Sequence, residues 1–547
     1  MSTDHALQRL QQLISLERDD IVTLVIYGVG IGLMSLAMPV AVQALVNTIA
    51  FGALLQPLFV LTVILFVLLS FSNMLVALQF YVVEMLQMRL FIRMFGDSAQ
   101  RLQQAAFQVH DSQYLPELAN RFFDVASLQK GAAALLLETL GYVLQTLIGM
   151  ILLAFYHPML LAFDLFLIGA LYLILFVLGK QGIDTVIEQS KAKYLAAAWL
   201  ESIAATPLLN KSQTNAHFIQ QQTEKIANQY LQACISHFRV LSRQNIGALV
   251  LHTLANSLLL AMGGWMVIER QLSLGQLIAA ELVVNAMVYG LTRLGKTLDN
   301  FYELVASVDK LGYLLDLPAE AQRQTAILPT NQPYQINISQ LQLSGSPQLD
   351  AINNLNLQLK AREHLVISQG AEHGSLLDVI YGLRQPLQGQ IQLNQHDLRD
   401  INLGVLRDSV ALVREAEIIP SSIQNNLCLG REHDPNELRQ ILQQLDLHNI
   451  IASLPDSINS QLMANGVPLT AEQSLRLTLA RSLAAKPQLL LIDKVFDRLA
   501  PQTLPAILQT VFAESAPWTV IVISQLPQVI ALCQRHGQFH NGQWQEV

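Results

Sequence analysis

Six long apolar runs, arranged as three pairs, dominate the first half of the chain. They cover residues 21–46 and 57–83, then 131–155 and 159–179, then 247–268 and 272–291. Each has about the length that a helix needs to cross a bilayer, ~20 residues. Short turns join the members of each pair, one of them Tyr156-His157-Pro158. Between the pairs lie two polar, helix-patterned segments, 84–130 and 180–246, which read as membrane helices extending well beyond the bilayer and reaching a soluble domain. The long segments carry Arg89, Arg93, Arg101, Arg121 and Lys130, among others, while the opposite turns carry only Arg270. The positive-inside rule then places both termini and both long segments in the cytoplasm. Residues 1–20 form a polar lead with an amphipathic start (Leu7, Leu10, Leu13, Ile14, Leu16), and residues 21–316 form the membrane domain. A breaker cluster with Pro318, Pro329 and Pro333 marks 317–333 as a linker. From 334 to 547 the pattern changes to that of a soluble α/β domain. Strands are predicted over 336–343, 364–368, 390–393, 410–413, 488–492 and 519–523, with helical patterns between several of them.

Composition supports this division. The chain is 52% hydrophobic and 14% charged, against about 25% charged in ordinary soluble domains. A net charge of −8 gives no reason to expect nucleic-acid binding. Cys234, Cys428 and Cys533 are far apart, without metal-type spacing, and fit reduced thiols on a cytosolic side. The first apolar run is too long for a signal-peptide core and can serve as its own insertion signal.

The α/β half contains one stretch where chemistry is expected. A strand pattern over 355–359 precedes Val366-Ile-Ser-Gln-Gly-Ala-Glu-His-Gly-Ser-Leu-Leu377, which leads into a helical pattern over 376–383. Strand, glycine-containing turn and helix are the setting of a phosphate-binding loop. Such a loop uses glycines so that backbone N–H groups can wrap phosphate, adds a lysine, and ends on a helix N-terminus. Here the candidate contacts are Gly370, Gly374 and Ser375. The loop is about three residues short of the P-loop spacing. It places Glu372 where phosphate would approach, and no lysine occurs between Lys360 and Lys486.

With six membrane helices, long cytoplasmic extensions and this α/β domain, the chain resembles a half-transporter of the ABC exporter family, over nearly its whole length. In Glu117-Leu-Ala-Asn-Arg-Phe-Phe123 and Gly263-Gly-Trp-Met-Val-Ile268 it is similar to type I secretion and bacteriocin exporters. The resemblance implies a six-helix transmembrane domain followed by a P-loop-NTPase-like nucleotide-binding domain. It also supplies a register. Lys486 to Asp493 resembles Walker B, 425–430 the segment after the Q-loop, and 519–523 the strand before the switch histidine. On that register Asp493 is the residue that orders Mg²⁺. The glutamate that should follow it is Lys494, which cannot act as a base toward water. The Q-loop glutamine is Arg414, and the switch histidine is Gln525, with His536 too far along the sequence to substitute. The signature is Leu469-Thr470-Ala471-Glu472-Gln473. Glu472 stands where a glycine lets backbone approach a γ-phosphate on the facing subunit. A carboxylate ~4 Å from phosphate costs about 4 kcal/mol per charge pair at an effective dielectric near 20. For the remaining side chains the residues themselves suggest structural roles. These are a helix N-cap for Thr470, a strand-end carboxylate paired with Lys494 or Arg481 for Asp493, and a solvated surface pair for Arg414 and Glu415.

The resemblance, with these substitutions, implies a catalytically silent half-exporter: no catalytic set is intact, and no ATP or Mg²⁺ is expected to be held. It places the chain in the bacterial inner membrane as one half of a homodimer or of a heterodimer with another half-exporter, with a periplasmic adaptor as a further partner. The alternative is an ATP-independent membrane scaffold or assembly factor, and an active ATP-driven exporter fits the motifs least. Within the apolar runs the ionisable residues are Asp164, His252 and Glu281, with Glu138 near a run's start. Such groups are costly in a bilayer and are often functional. Asp164 and His252 read first as buried groups hydrogen-bonded to a neighbouring helix; Glu281, roughly mid-bilayer, either does the same or faces the dimer interior and the transport pathway.

Overall fold

In the computed structural model the chain divides into two compact units, Met1–Ala105 with Ser112–Ala319 and Ala106–Asp111 with Glu320–Val547. The residues described are 3–50, 55–320, 332–343, 351–368, 373–540 and 542–547. Gly370 and Glu372 of the loop, and 321–331 of the linker, lie outside them.

The first unit is helical. It comprises α1 (Thr3–Leu16), α2 (Arg18–Ser35), α3 (Ala37–Ala50), α4 (Leu55–Gln104), α5 (Val109–Ser112), α6 (Leu115–Asn120), α7 (Asp124–Ala134), α8 (Leu140–Tyr156), α9 (Pro158–Tyr172), α10 (Gly182–Ala205), α11 (Gln213–Ile268), α12 (Leu274–Thr292) and α13 (Leu294–Leu315). Residues Ala106–Asp111, at the turn containing α5, belong to the second unit. Six stretches among the described residues are long and apolar enough to cross a membrane: Arg18–Thr48, Gln56–Gln104, Leu115–Tyr156, Pro158–Leu178, Gln213–Ile268 and Leu274–Thr292. Helix α4 is continuous over 50 residues and α11 over 56. At ~1.5 Å per residue, α4 is about 75 Å long, more than twice a hydrocarbon core of ~30 Å. The polar segments are therefore helical extensions of the spans.

Local chemistry sets the breaks. Pro158 opens α9, where a missing N–H costs nothing, and His157 accepts from the Met159 N–H at 3.2 Å. Ser273 and Gln276 cap α12 reciprocally. Two π-helical segments, Leu135–Thr139 before α8 and Leu173–Leu178 after α9, interrupt the regular helix. Leu153, Phe163, Leu259, Met266 and Val284 are buried where α8, α9, α11 and α12 pack together.

The second unit has two sheets. Strands β1 (Ile336–Leu343), β2 (Ile352–Leu359), β3 (His364–Ile367), β4 (Gln388–Leu393), β5 (His396–Asp397), β6 (Val410–Val413), β7 (Leu489–Asp493), β8 (Thr519–Ile523), β9 (Arg535–His540) and β10 (Gln543–Glu546) form orders β2-β1-β4-β5 and β10-β9-β3-β8-β7-β6. The larger sheet is parallel from β9 to β6, with β10 antiparallel at its edge. Strands β3, β7 and β8 are buried throughout, as parallel strands covered on both faces must be. Strands β9 and β10 were not anticipated: Arg535-His-Gly-Gln-Phe-His540 is too polar to signal a strand. Helix α14 (His373–Ile380) follows the loop and contains Gly374 and Ser375. In open parallel sheets ligands bind beyond the carboxyl ends of the strands. Those of β3, β6, β7 and β8 bring Ser368, Arg414, Asp493 and Gln525 to one side.

Candidate functional site

Arg414, immediately after the edge strand β6, reaches inward over the carboxyl end of β7. Its Nε donates to Asp493 Oδ2 at 2.6 Å, and its Nη2 donates to Asp378 Oδ1 at 2.8 Å. Asp493 is the last residue of β7 and 7% exposed; Asp378 lies on α14 and is 3% exposed. Burial alone would lower the Arg414 pKa. The two carboxylates outweigh it, so the guanidinium is held above arginine's ordinary range. This corrects two readings of the sequence. Arg414 does not form a solvated pair with Glu415, whose nearest cation is Arg498 at 3.9 Å. Asp493 is a paired strand-end carboxylate, but its partner is Arg414 rather than Lys494 or Arg481.

The chain of charges continues. Arg384 Nε donates to the other Asp378 oxygen at 2.9 Å, and its two Nη groups grip Asp111 at 2.7 and 2.8 Å. The same guanidinium lies 5.4 Å from the Phe107 ring centroid. Asp111 thereby tethers the segment Ala106–Asp111, and hydrogen bonding from Arg384 holds its carboxyl below the usual carboxylate range. Replacing Arg384 with Met is expected to speed amide hydrogen exchange over residues 106–112 while leaving β7 and β8 protected. Unchanged exchange there would show that the tether is idle.

The other candidate positions are placed as follows. Lys494 is exposed, with φ +55°, and its backbone N–H donates to Ile523 O at 3.0 Å. Gln525 is also exposed, and its backbone N–H donates to Asp497 Oδ1 at 3.1 Å. His536, distant in sequence, is on β9 beside β3, with Nε2 2.7 Å from Ser368 Oγ. Parallel pairing carries it to the flank of the loop, although 168 residues separate the two. Of the loop itself, Gly374 and Ser375 are in the first turn of α14, and Gly370 is outside the described residues.

Leu469 is buried. Thr470 is the N-cap of helix Ala471–Ala484 and forms a reciprocal capping box with Gln473. Glu472 is folded onto its own chain. Its Oε1 accepts from the Ala500 N–H at 3.0 Å and from Thr503 Oγ1 at 3.3 Å, with Arg476 Nε at 3.7 Å.

In the first unit, Asp164 is 3% exposed among apolar side chains, and neither carboxylate oxygen has a hydrogen-bond partner. His252 and Glu138 are partly buried, whereas Glu281 is exposed. Glu281 shares the exposed face of α12 with Asn285 and Tyr289, each four residues further on.

Six membrane helices followed by a two-sheet α/β domain define an exporter-type transporter. Residues 21–290 match the ABC transporter transmembrane region, and residues 352–496 match the ABC transporter family. The chain belongs to the ABC transporters. It is 24% identical over 251 residues to an uncharacterized ABC transporter ATP-binding protein, YknU, of Bacillus subtilis, covering 45% of this chain and 43% of that protein. It is 26% identical to the leukotoxin translocation ATP-binding protein LktB of Mannheimia haemolytica, covering 56% and 44%. It is likewise 26% identical to the alpha-hemolysin translocation ATP-binding protein HlyB of Proteus vulgaris, covering 52% and 40%. The chain thus spans less than half the length of these relatives. A bacterial Atm1-family ABC exporter solved with ATP bound has the same fold, with a TM-score of 0.85, 16% identity, and coverage of 97% of this chain and 94% of that one.

Proposed function

We propose that this chain is a half-exporter subunit of a membrane transport or secretion system whose own nucleotide-binding-like domain does not turn over ATP. The observation that carries this reading is Arg414. Its guanidinium engages Asp493, the carboxylate that would have to order Mg²⁺, and also Asp378 on the helix after the loop. A divalent cation at Asp493 would have to displace a bound guanidinium and then share the space with it. The residues present do not fit Mg-ATP. Lys494 and Gln525 add to this, since neither can serve as the water-polarising base that the reaction uses.

Transport is supported by α12. Glu281, Asn285 and Tyr289 form a polar stripe on a membrane helix whose other face, with Val283, Val284, Met287 and Val288, is packed. A carboxylate facing acyl chains is costly, so the stripe is assigned to the interior of a dimer and to the pathway. Both termini are assigned to the cytoplasm of a bacterial inner membrane on the Lys and Arg asymmetry. Purification of the intact chain from native membranes tests the reading. Co-purification of a second half-exporter or a periplasmic adaptor is the expected result. A self-associated chain carrying neither would overturn it in favour of the scaffold.

A further inference from the structure

The first unit contains a cavity that the transport reading does not use. It lies between α8, α9, α11, α12 and the start of α13, and holds about 200 Å³. Its walls are almost wholly apolar, with Met150, Leu167, Leu251 and Met287 among them. Tyr142, Thr139 and Thr297 supply hydroxyls at one end, where α12 gives way to α13. Two features make the space. The π-helical turns Leu135–Thr139 and Leu173–Leu178 interrupt α8 and α9 at their ends nearest this region, and π-turns are frequent at functional sites. Gly290 lines the wall, and a Cβ there would meet Tyr142 Cβ at 3.3 Å, so a side chain at this position would crowd Tyr142 and take up part of the gap. The mouth is flanked by Val143, Leu147 and Ile168, each about half exposed at 50%, 51% and 50%. The cavity residues of α12 are Met287, Val288, Gly290 and Leu291, on a different face from the Glu281–Asn285–Tyr289 stripe. The apolar slot and the stripe therefore use different faces of α12 and meet only at Tyr289, at the slot's hydroxyl end.

The hydroxyl end is also the cationic end. Arg293 donates to the Tyr289 hydroxyl at 3.1 Å and lies 5.6 Å from that ring's centroid. Tyr289 in turn meets Tyr142 edge-on at 6.3 Å. Lys296 is exposed between two cavity residues, Leu294 and Thr297. Glu138 is the opposing charge that reaches Arg293. An apolar slot with tyrosine, hydroxyl and basic groups at a membrane helix end has the polarity of an anionic phospholipid. Such a lipid would place part of one acyl chain in the slot and its phosphate at the Arg293 end. Basic pockets between membrane helices bind such headgroups, and Tyr, Arg and Lys sit at headgroup level.

We propose that this cavity is a binding site for one anionic phospholipid of the bilayer. The test is native mass spectrometry of the detergent-extracted full chain, titrated with dioleoylphosphatidylglycerol or dioleoylphosphatidylcholine. The wild type is expected to retain one phosphatidylglycerol per protomer, favoured over phosphatidylcholine by roughly fivefold for each net cation at the rim. Gly290→Leu fills the slot and Ile168→Trp plugs its mouth; both should lose the retained lipid. If one of them fails to fold, the other still decides. Arg293→Gln with Lys296→Gln should keep lipid but lose the preference for phosphatidylglycerol. Equal retention of the two lipids by the wild type, or equal retention by the wild type and both filled variants, would mean generic annular lipid and overturn the proposal.

Discussion

Replacing Arg414 with Met is expected to cost the second unit about 3–5 kcal/mol, the range found when one partner of a buried ion pair is removed. Asp378 keeps Arg384 in the variant. Asp493, with a side chain 10% exposed, loses the guanidinium that compensates it. At roughly 2–4 °C per kcal/mol for a domain of this size, the unfolding midpoint should fall by about 6–20 °C. Asp493→Asn in the same background should recover part of the loss, because it removes the orphaned charge, and the two changes should be strongly non-additive. Arg414→Lys should recover little, since an ammonium cannot span two carboxylates as a planar fork does. Thermal unfolding of the full chain in nanodiscs reads all four proteins. A loss below about 1 kcal/mol is what an exposed ion pair gives, and it would remove Arg414 from the account.

Restoring the water-polarising carboxylate alone should not restore turnover. A positioned base is worth about 10²–10⁴-fold in rate, so Lys494→Glu would be a large gain if the rest of the site were competent. The geometry says otherwise. Residue 494 is already fixed through its backbone bond to Ile523, and the substitution leaves Arg414 on Asp493 and the loop without a lysine. Phosphate release by the Lys494→Glu chain is expected to stay at the level of the wild type. A rise of two or more orders of magnitude would show that one missing base was the whole defect.

The sequence made some of this legible and hid the rest, for physical reasons. The six spans were readable because crossing a bilayer requires only length and apolarity, and both are local properties. Strands β6 and β8 were legible at their observed limits, and β3 and β7 within one residue, because buried parallel strands are continuous apolar runs; β1, antiparallel to both neighbours, was legible at its limits from apolar residues alternating with polar ones. Thr470 was readable as an N-cap because the cap and its partner Gln473 are three residues apart. Arg414 was not readable. Its partners Asp378 and Asp493 are 36 and 79 residues away, and only closure of the sheet brings them together. The position of His536 beside Ser368 was hidden for the same reason: β9 returns to lie beside β3. The orientation of Glu281 was also hidden, because α12 is apolar nearly all round and gives no periodicity to read. Asp164 was flagged as ionisable in an apolar run, but its burial without a partner came only from packing.

The most direct test of the central claim is calorimetric titration of the purified wild-type chain with Mg-ATP, run beside a phosphate-release assay on the same sample. No saturable heat and no release above the protein-free control are expected, because Arg414 holds the carboxylate that Mg²⁺ would need. Saturable binding in the micromolar range, or phosphate release abolished by Asp493→Asn, would contradict it.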